Sequence, residues 1–93
     1  MLLTDYIARA EAQPGVYVLR GSNGQNYTGA ARNLRDRLRD HQAGRASRTR
    51  NQRPLWVVYV ERCADYSAAL KRERFLKSGQ GRDWLKAHQT VSP

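Results

Sequence analysis

Val16-Tyr17-Val18-Leu19-Arg20, then Gly21-Ser22-Asn23-Gly24-Gln25, then Asn26-Tyr27-Thr28-Gly29-Ala30 is the stretch that decides the fold. Residues 16–20 have the β-branched and aromatic content of a strand. Asn23-Gly24 is the strongest short hairpin signal, because both residues tolerate the positive φ of a tight turn. Residues 26–30 then return as a second strand. Side chains alternate across a sheet, so the turn decides which residues share a face. A strict two-residue turn sends Tyr17 and Tyr27 to opposite faces. A three-residue loop, or a bulge near Gly21, brings both phenols to one face, and a shared site requires that arrangement.

Outward from the hairpin, Leu3, Tyr6, Ile7 and Ala10 recur at helical spacing, which predicts a helix over residues 3–12. Thr4 or Asp5 can cap it, and Gln13-Pro14-Gly15 ends it. A helix over 33–43 follows the hairpin, with Asn33 as N-cap and Gly44 as stop. Residues 44–53 form an arginine-rich loop or short helix, expected to be mobile. Leu55-Trp56-Val57-Val58-Tyr59-Val60-Glu61 is the clearest strand. Asp65 caps a helix over 66–78 that closes at Gly79, and a short helix covers 82–88. The order predicts a small α/β (α+β) sandwich, three-stranded and mostly antiparallel, with an extra N-terminal helix. One domain is expected over 1–93: an N-terminal helix to residue 13, a core over 14–86 and a frayed tail over 87–93.

The chain has 93 residues, and its 17 Lys+Arg against 8 Asp+Glu give a net charge of +9. Residues 32–53 hold eight arginines and two aspartates, so +6 of the +9 lies there. Such a block is either a solvated surface or the footprint of a polyanionic partner. The preference for arginine over lysine favours phosphate, which the planar guanidinium fork fits. A membrane surface fits poorly, because no exposed apolar stripe accompanies the arginines. Cys63 is the only cysteine. An internal disulfide and a cysteine metal cluster are therefore excluded within one chain, consistent with a reducing cytoplasm. No apolar run is long enough to span a membrane, and no signal peptide is expected.

At about 100° per residue, the helix over 33–43 turns Arg37 and His41 toward the leucine stripe of Leu34 and Leu38. Arg35 and Arg39 face outward, with Arg32 near them. An inward arginine needs an anion, which can be Glu61 or Glu73 in a core salt bridge, or a bound phosphate. On the helix over 66–78, Glu73 falls within the apolar arc of Tyr66, Ala69, Leu70 and Leu76. A carboxylate there is paired, protonated or bound to a metal. Magnesium often uses only one or two carboxylates, so both the ion-pair and the one-metal readings stand. Strand tyrosines are ordinarily packing residues.

Pro14-Gly15-Val16-Tyr17, Tyr27-Thr28-Gly29-Ala30 and Asn33-Leu34-Arg35-Asp36-Arg37-Leu38 together resemble the GIY-YIG nuclease superfamily. The opening also resembles the N-terminal nuclease domain of the bacterial excision-repair nuclease. Arg72-Glu73-Arg74-Phe75-Leu76-Lys77-Ser78-Gly79 is similar to the short stand-alone bacterial members. Val16 and Thr28 stand where the two motifs carry isoleucine, and the late asparagine of many members has no counterpart after Asn51.

The resemblance implies a divalent-metal-dependent endonuclease that hydrolyses phosphodiester bonds in DNA, structure-directed or weakly sequence-specific and in the setting of DNA repair. It matches Tyr17 and Tyr27 to the two motif tyrosines, Arg37 to the essential arginine, His41 to a histidine one turn later and Glu73 to the metal ligand for one Mg²⁺ or Mn²⁺. In the expected reaction Arg37 stabilises the phosphate, while Tyr17 activates or positions water with His41 as proton acceptor. Arg32, Arg35, Arg39, Arg45, Arg48 and Arg50 would grip the nucleic-acid backbone, DNA rather than RNA. The expected setting is a monomer in the bacterial cytoplasm, on the nucleoid when bound. The rival reading is a non-catalytic nucleic-acid-binding domain on the same fold.

Overall fold

In the computed structural model, which describes residues 1–89, the hairpin forms where its sequence predicts it. Strand β1 (Gly15–Arg20) pairs antiparallel with β2 (Asn26–Ala31), and Gly24 in the connecting loop has φ 80°. The connection is neither the two-residue turn nor the three-residue loop. Arg20 pairs with Asn26, so residues 21–25 make a five-residue loop, closed by Gly21 N–H donating to Gln25 O at 2.9 Å. An odd loop length gives the parity that a shared site needs. Tyr17 lies opposite Gly29 and Leu19 opposite Tyr27, so both phenols rise from one face.

Strand β3 (Trp56–Arg62) pairs antiparallel with the other side of β1, giving the order β2-β1-β3. Leu19 pairs with Val57 and Val18 with Tyr59, leaving Val58 as a bulge. The extra residue turns Val58 and Tyr59 to the same side, and both join one core cluster. The start of β3 is covered by residues 1–3: Val57 N–H donates to Met1 O and Leu3 N–H to Leu55 O, each at 2.8 Å. Strand β2 remains an edge.

Among the described residues four helices flank the sheet. The first, α1 (Leu3–Tyr6), continues only as a 3₁₀ turn over Ile7–Arg9, shorter than the expected helix. The reason is tertiary. Residues 10–13 leave the helix and offer carbonyls to the next one: Leu34 N–H donates to Gln13 O, Arg35 N–H to Glu11 O and Arg35 Nε to Ala10 O. These bonds satisfy donors that a helix start leaves open. Helix α2 (Leu34–Gln42) begins at its predicted cap, with Asn33 Oδ1 accepting from Asp36 N–H. Helix α3 (Tyr66–Lys77) begins likewise at Asp65. Helix α4 (Gly79–Ala87) starts three residues earlier than expected, because Ser78 Oγ accepts from Gly81 N–H and caps it. Gly79 therefore opens a helix rather than closing one. The last part of the expected tail, residues 90–93, lies outside the described residues.

Each sheet face has its own core. Leu3, Tyr17, Leu19, Leu34, Leu38 and Val57 pack under α1 and α2. Val16, Val18, Tyr59, Ala69, Leu76 and Leu85 pack under α3 and α4. The expected α+β sandwich is the observed architecture. Among the described residues no helix is long and apolar enough to cross a membrane.

Candidate active site

The edge position of β2 lets both layers reach one place. Tyr17 comes from β1, Tyr27 from β2, Arg37 and His41 from α2, and Glu73 from α3 on the opposite face. All five line one cavity of about 140 Å³, together with Arg48 and Thr49 from the loop before β3. The five residues that the motifs single out therefore converge.

Tyr17 is 3% exposed, and its ring crosses β2 at Gly29. A Cβ on Gly29 would stand 2.4 Å from Tyr17 Oη, so the glycine of the second motif clears the path of the first tyrosine. The hydroxyl meets His41 Nε2 at 2.8 Å, and the two rings sit edge to face with centroids 5.2 Å apart. His41 is 4% exposed, and its Nδ1 meets Thr49 Oγ1 at 2.6 Å. Thr49 is fully buried. Nothing in its sequence position announces it: it is a polar residue within an arginine run. The loop expected to be mobile is anchored through Thr49 and buried Ala46, and its 3₁₀ turn (Arg50–Gln52) accepts Ser22 N–H at Gln52 O.

Burial and the nearby Arg37 charge push His41 down to about 4; Arg48 adds to this and Asp40 opposes it. At neutral pH the imidazole is therefore uncharged, with one nitrogen donating and the other accepting. Tyr17 is raised above its ordinary value by burial, against the lowering effect of the Arg37 guanidinium. The phenol is protonated, so with Nδ1–H donated to Thr49 the natural bond is Tyr17 O–H to His41 Nε2. Tyr27 is held from the hairpin loop, with Asn23 Nδ2 donating to its hydroxyl at 3.0 Å.

Arg37 departs from its expected burial. Its side chain is 44% exposed at the cavity rim, and its ion-pair partner is Asp40 at 3.9 Å. The core-bridge alternatives are occupied elsewhere: Glu61 accepts from Arg72 Nε at 3.2 Å, and Glu73 pairs with Lys77 at 3.2 Å. The physical reason is position, because α2 ends its apolar contact at Leu38 and His41 while Arg37 overhangs the sheet edge. A rim arginine keeps donors for an incoming anion.

Glu73 is 19% exposed and faces the cavity. Among the described residues no cluster of three or more His, Cys, Asp or Glu can hold a metal ion. A fully caged metal does not fit here. One carboxylate beside a wet cavity fits Mg²⁺ or Mn²⁺ that keeps most of its waters.

The six arginines expected to grip a backbone do not form one surface. Arg48 lines the cavity, with its guanidinium 5.9 Å from the Tyr27 ring centre. Arg32 stacks over Tyr66 at 4.2 Å, Arg45 pairs with Asp40 at 2.8 Å, and Arg35 bonds Ala10 O. Arg39 and Arg50 are exposed and line none of this cavity.

Comparison with known proteins adds a family. Residues 13–86 match the model of the GIY-YIG catalytic domain. Over 64 residues the chain is 39% identical to UPF0213 protein DP2720 of Desulfotalea psychrophila, covering 67% of this chain and 58% of that protein. It is 38% identical over 64 residues to UPF0213 protein SAV0488 of Staphylococcus aureus, covering 68% of this chain and 78% of the relative. No solved structure matches significantly.

Proposed function

This chain belongs to the GIY-YIG catalytic-domain family, and on that premise we propose that it is a divalent-metal-dependent endonuclease acting on DNA. The observation that carries the reading is the convergence of Tyr17, Tyr27, Arg37, His41 and Glu73 on one cavity at the edge of β2.

The reaction is hydrolysis of a phosphodiester by in-line attack of water. Arg37 binds a non-bridging oxygen as charge builds on phosphorus. Water gives a proton to Tyr17 Oη as Tyr17 passes its own to His41 Nε2 across the 2.8 Å bond. This relay suits a phenol held protonated, which need not ionise before the reaction. Thr49 keeps the other imidazole proton at Nδ1, leaving Nε2 free to accept. Tyr27 orients the water or the phosphate. The new P–O bond forms as the bond to the leaving oxygen breaks, and that oxygen takes its proton from solvent. Held through Glu73, Mg²⁺ or Mn²⁺ supplies Lewis-acid polarisation of the phosphate and stabilises the leaving oxygen.

Arg37 and Arg48 weaken His41 as a proton acceptor in the free protein. A phosphate seated between them offsets both charges, so the acceptor strengthens when substrate arrives.

Plasmid nicking with Mg²⁺ or Mn²⁺ tests the reading. Wild type is expected to convert supercoiled to open-circular DNA, and Glu73→Ala and Arg37→Ala to abolish this while remaining folded. Clean wild-type protein inert on every DNA and RNA form, yet binding them, returns the chain to the non-catalytic binding reading.

A further inference from the structure

The active-site cavity opens into a second, larger groove of about 470 Å³, and the two share Thr28 and Arg48 as lining residues. Along the free edge of β2, the order is this groove at Asn26 and Thr28, the catalytic cavity at residues 27–30, and a further hollow at Ala30 and Ala31. The two flanks differ in charge. The groove carries Arg48, Lys77 and Arg82 on its walls and no carboxylate, with Leu76 and Leu85 beneath them. The hollow on the other side holds Arg32 and Arg37 but also Asp36 and Asp40, and Arg32 is stacked on Tyr66.

We propose that the Arg48–Lys77–Arg82 groove is a one-sided subsite for the phosphate and sugar flanking the scissile bond. This rests on the nucleic-acid reading above but not on cutting. Its chemistry matches a nucleotide: three cations for the phosphodiester, an apolar floor for the sugar, and Asn26 and Thr28 as polar side chains on the strand edge. Arg82 is pre-positioned, because its guanidinium donates to Lys77 O at 3.2 Å at the end of α3. Lys77 reaches Glu73 at 3.2 Å, so one side chain joins the subsite to the catalytic cavity. Neither Lys77 nor Arg82 lies in the arginine block of residues 32–53. Only the folding of α3 against α4 brings them beside Arg48.

The test is fluorescence anisotropy with a fluorescein-labelled oligonucleotide in EDTA, across a salt series, with circular dichroism checking the fold of each variant. Lys77→Gln and Arg82→Gln are each expected to weaken binding about 5- to 10-fold at low salt and to lower the log–log salt slope by about one. Arg82→Lys keeps the charge and is expected to restore the slope, and Arg9→Gln, beside a different hollow, to leave it unchanged. Binding with slopes unaltered by Lys77→Gln and Arg82→Gln overturns the subsite alone. Absence of any binding by wild type overturns the nucleic-acid reading as well. Altered slopes in a protein that cuts nothing support the subsite and sink only the nuclease.

The one-sidedness has its own measurement. A single uncharged methylphosphonate next to the mapped cut is expected to weaken wild type about 5- to 10-fold on one side, with no such loss in the Lys77→Gln/Arg82→Gln pair. Equal losses on both sides in both proteins overturn it.

Discussion

Tyr17 and Gly29 face each other across the hairpin so closely that one methyl group would collide: a Cβ at Gly29 stands 2.4 Å from Tyr17 Oη and 2.5 Å from Cζ. The phenol cannot yield freely, because it is buried and bonded to His41. Gly29→Ala is therefore expected to destabilise the protein by about 1–3 kcal/mol through overpacking. Nicking should fall by more, because the hydroxyl moves off His41. Urea denaturation and plasmid assays measure the two effects; a variant with wild-type nicking would sink the argument.

Thr49→Val keeps the shape of the buried side chain and removes its hydroxyl. His41 Nδ1 then loses its partner, at an expected cost of about 1–3 kcal/mol for an unsatisfied buried polar group. Turnover should drop about 10- to 100-fold with KM little changed, and Thr49→Ser should restore most of it. Nitrogen chemical shifts of His41 read the tautomer directly. An unchanged Nδ1–H signal in Thr49→Val would rule out the positioning role.

Acid should destabilise the fold through His41. Its folded value near 4 lies below the ordinary 6.5, so the unfolded chain takes up a proton first as pH falls. Stability from this group is complete above about pH 6.5, declines below it, and levels off below about pH 4. The full loss is on the order of 3 kcal/mol. Denaturation at about pH 7 and about pH 4.5 should show wild type losing more than His41→Asn. Equal losses would mean that the imidazole is not held neutral.

Arg37 is half-exposed with one ion pair at 3.9 Å, so Arg37→Ala should change stability by no more than about 0.5 kcal/mol. Nicking should nevertheless fall at least ~100-fold, the range for losing a donor to developing charge. Arg37→Lys keeps the charge without the fork and should recover only part of it. A variant that loses stability and activity in proportion would make Arg37 structural.

Elements set by local chemistry were legible. Asn33 and Asp65 cap their helices as read, and the hairpin and β3 lie where the strand formers cluster. The His41 and Glu73 side chains were reached by helical periodicity alone, because each helix has one apolar stripe to bury. What the chain hid depends on distant partners. The first helix ends early because residues 10–13 cap α2. Arg37 sits at a rim because β2 is an edge, which no residue pattern in α2 records. Thr49 acquires its place only through a histidine eight residues away, and Lys77 and Arg82 through the packing of α4 on α3.

An open strand edge invites a second copy of the same chain to pair with it, and proteins ordinarily blunt such edges. Here the edge of β2 is ringed by Arg37, Arg48, Lys77 and Arg82. Two copies approaching edge to edge would bring these cations against one another. The charges that welcome a phosphate chain thus also hold sister molecules apart, and the reactive edge is kept from aggregation by the same residues that put it to use.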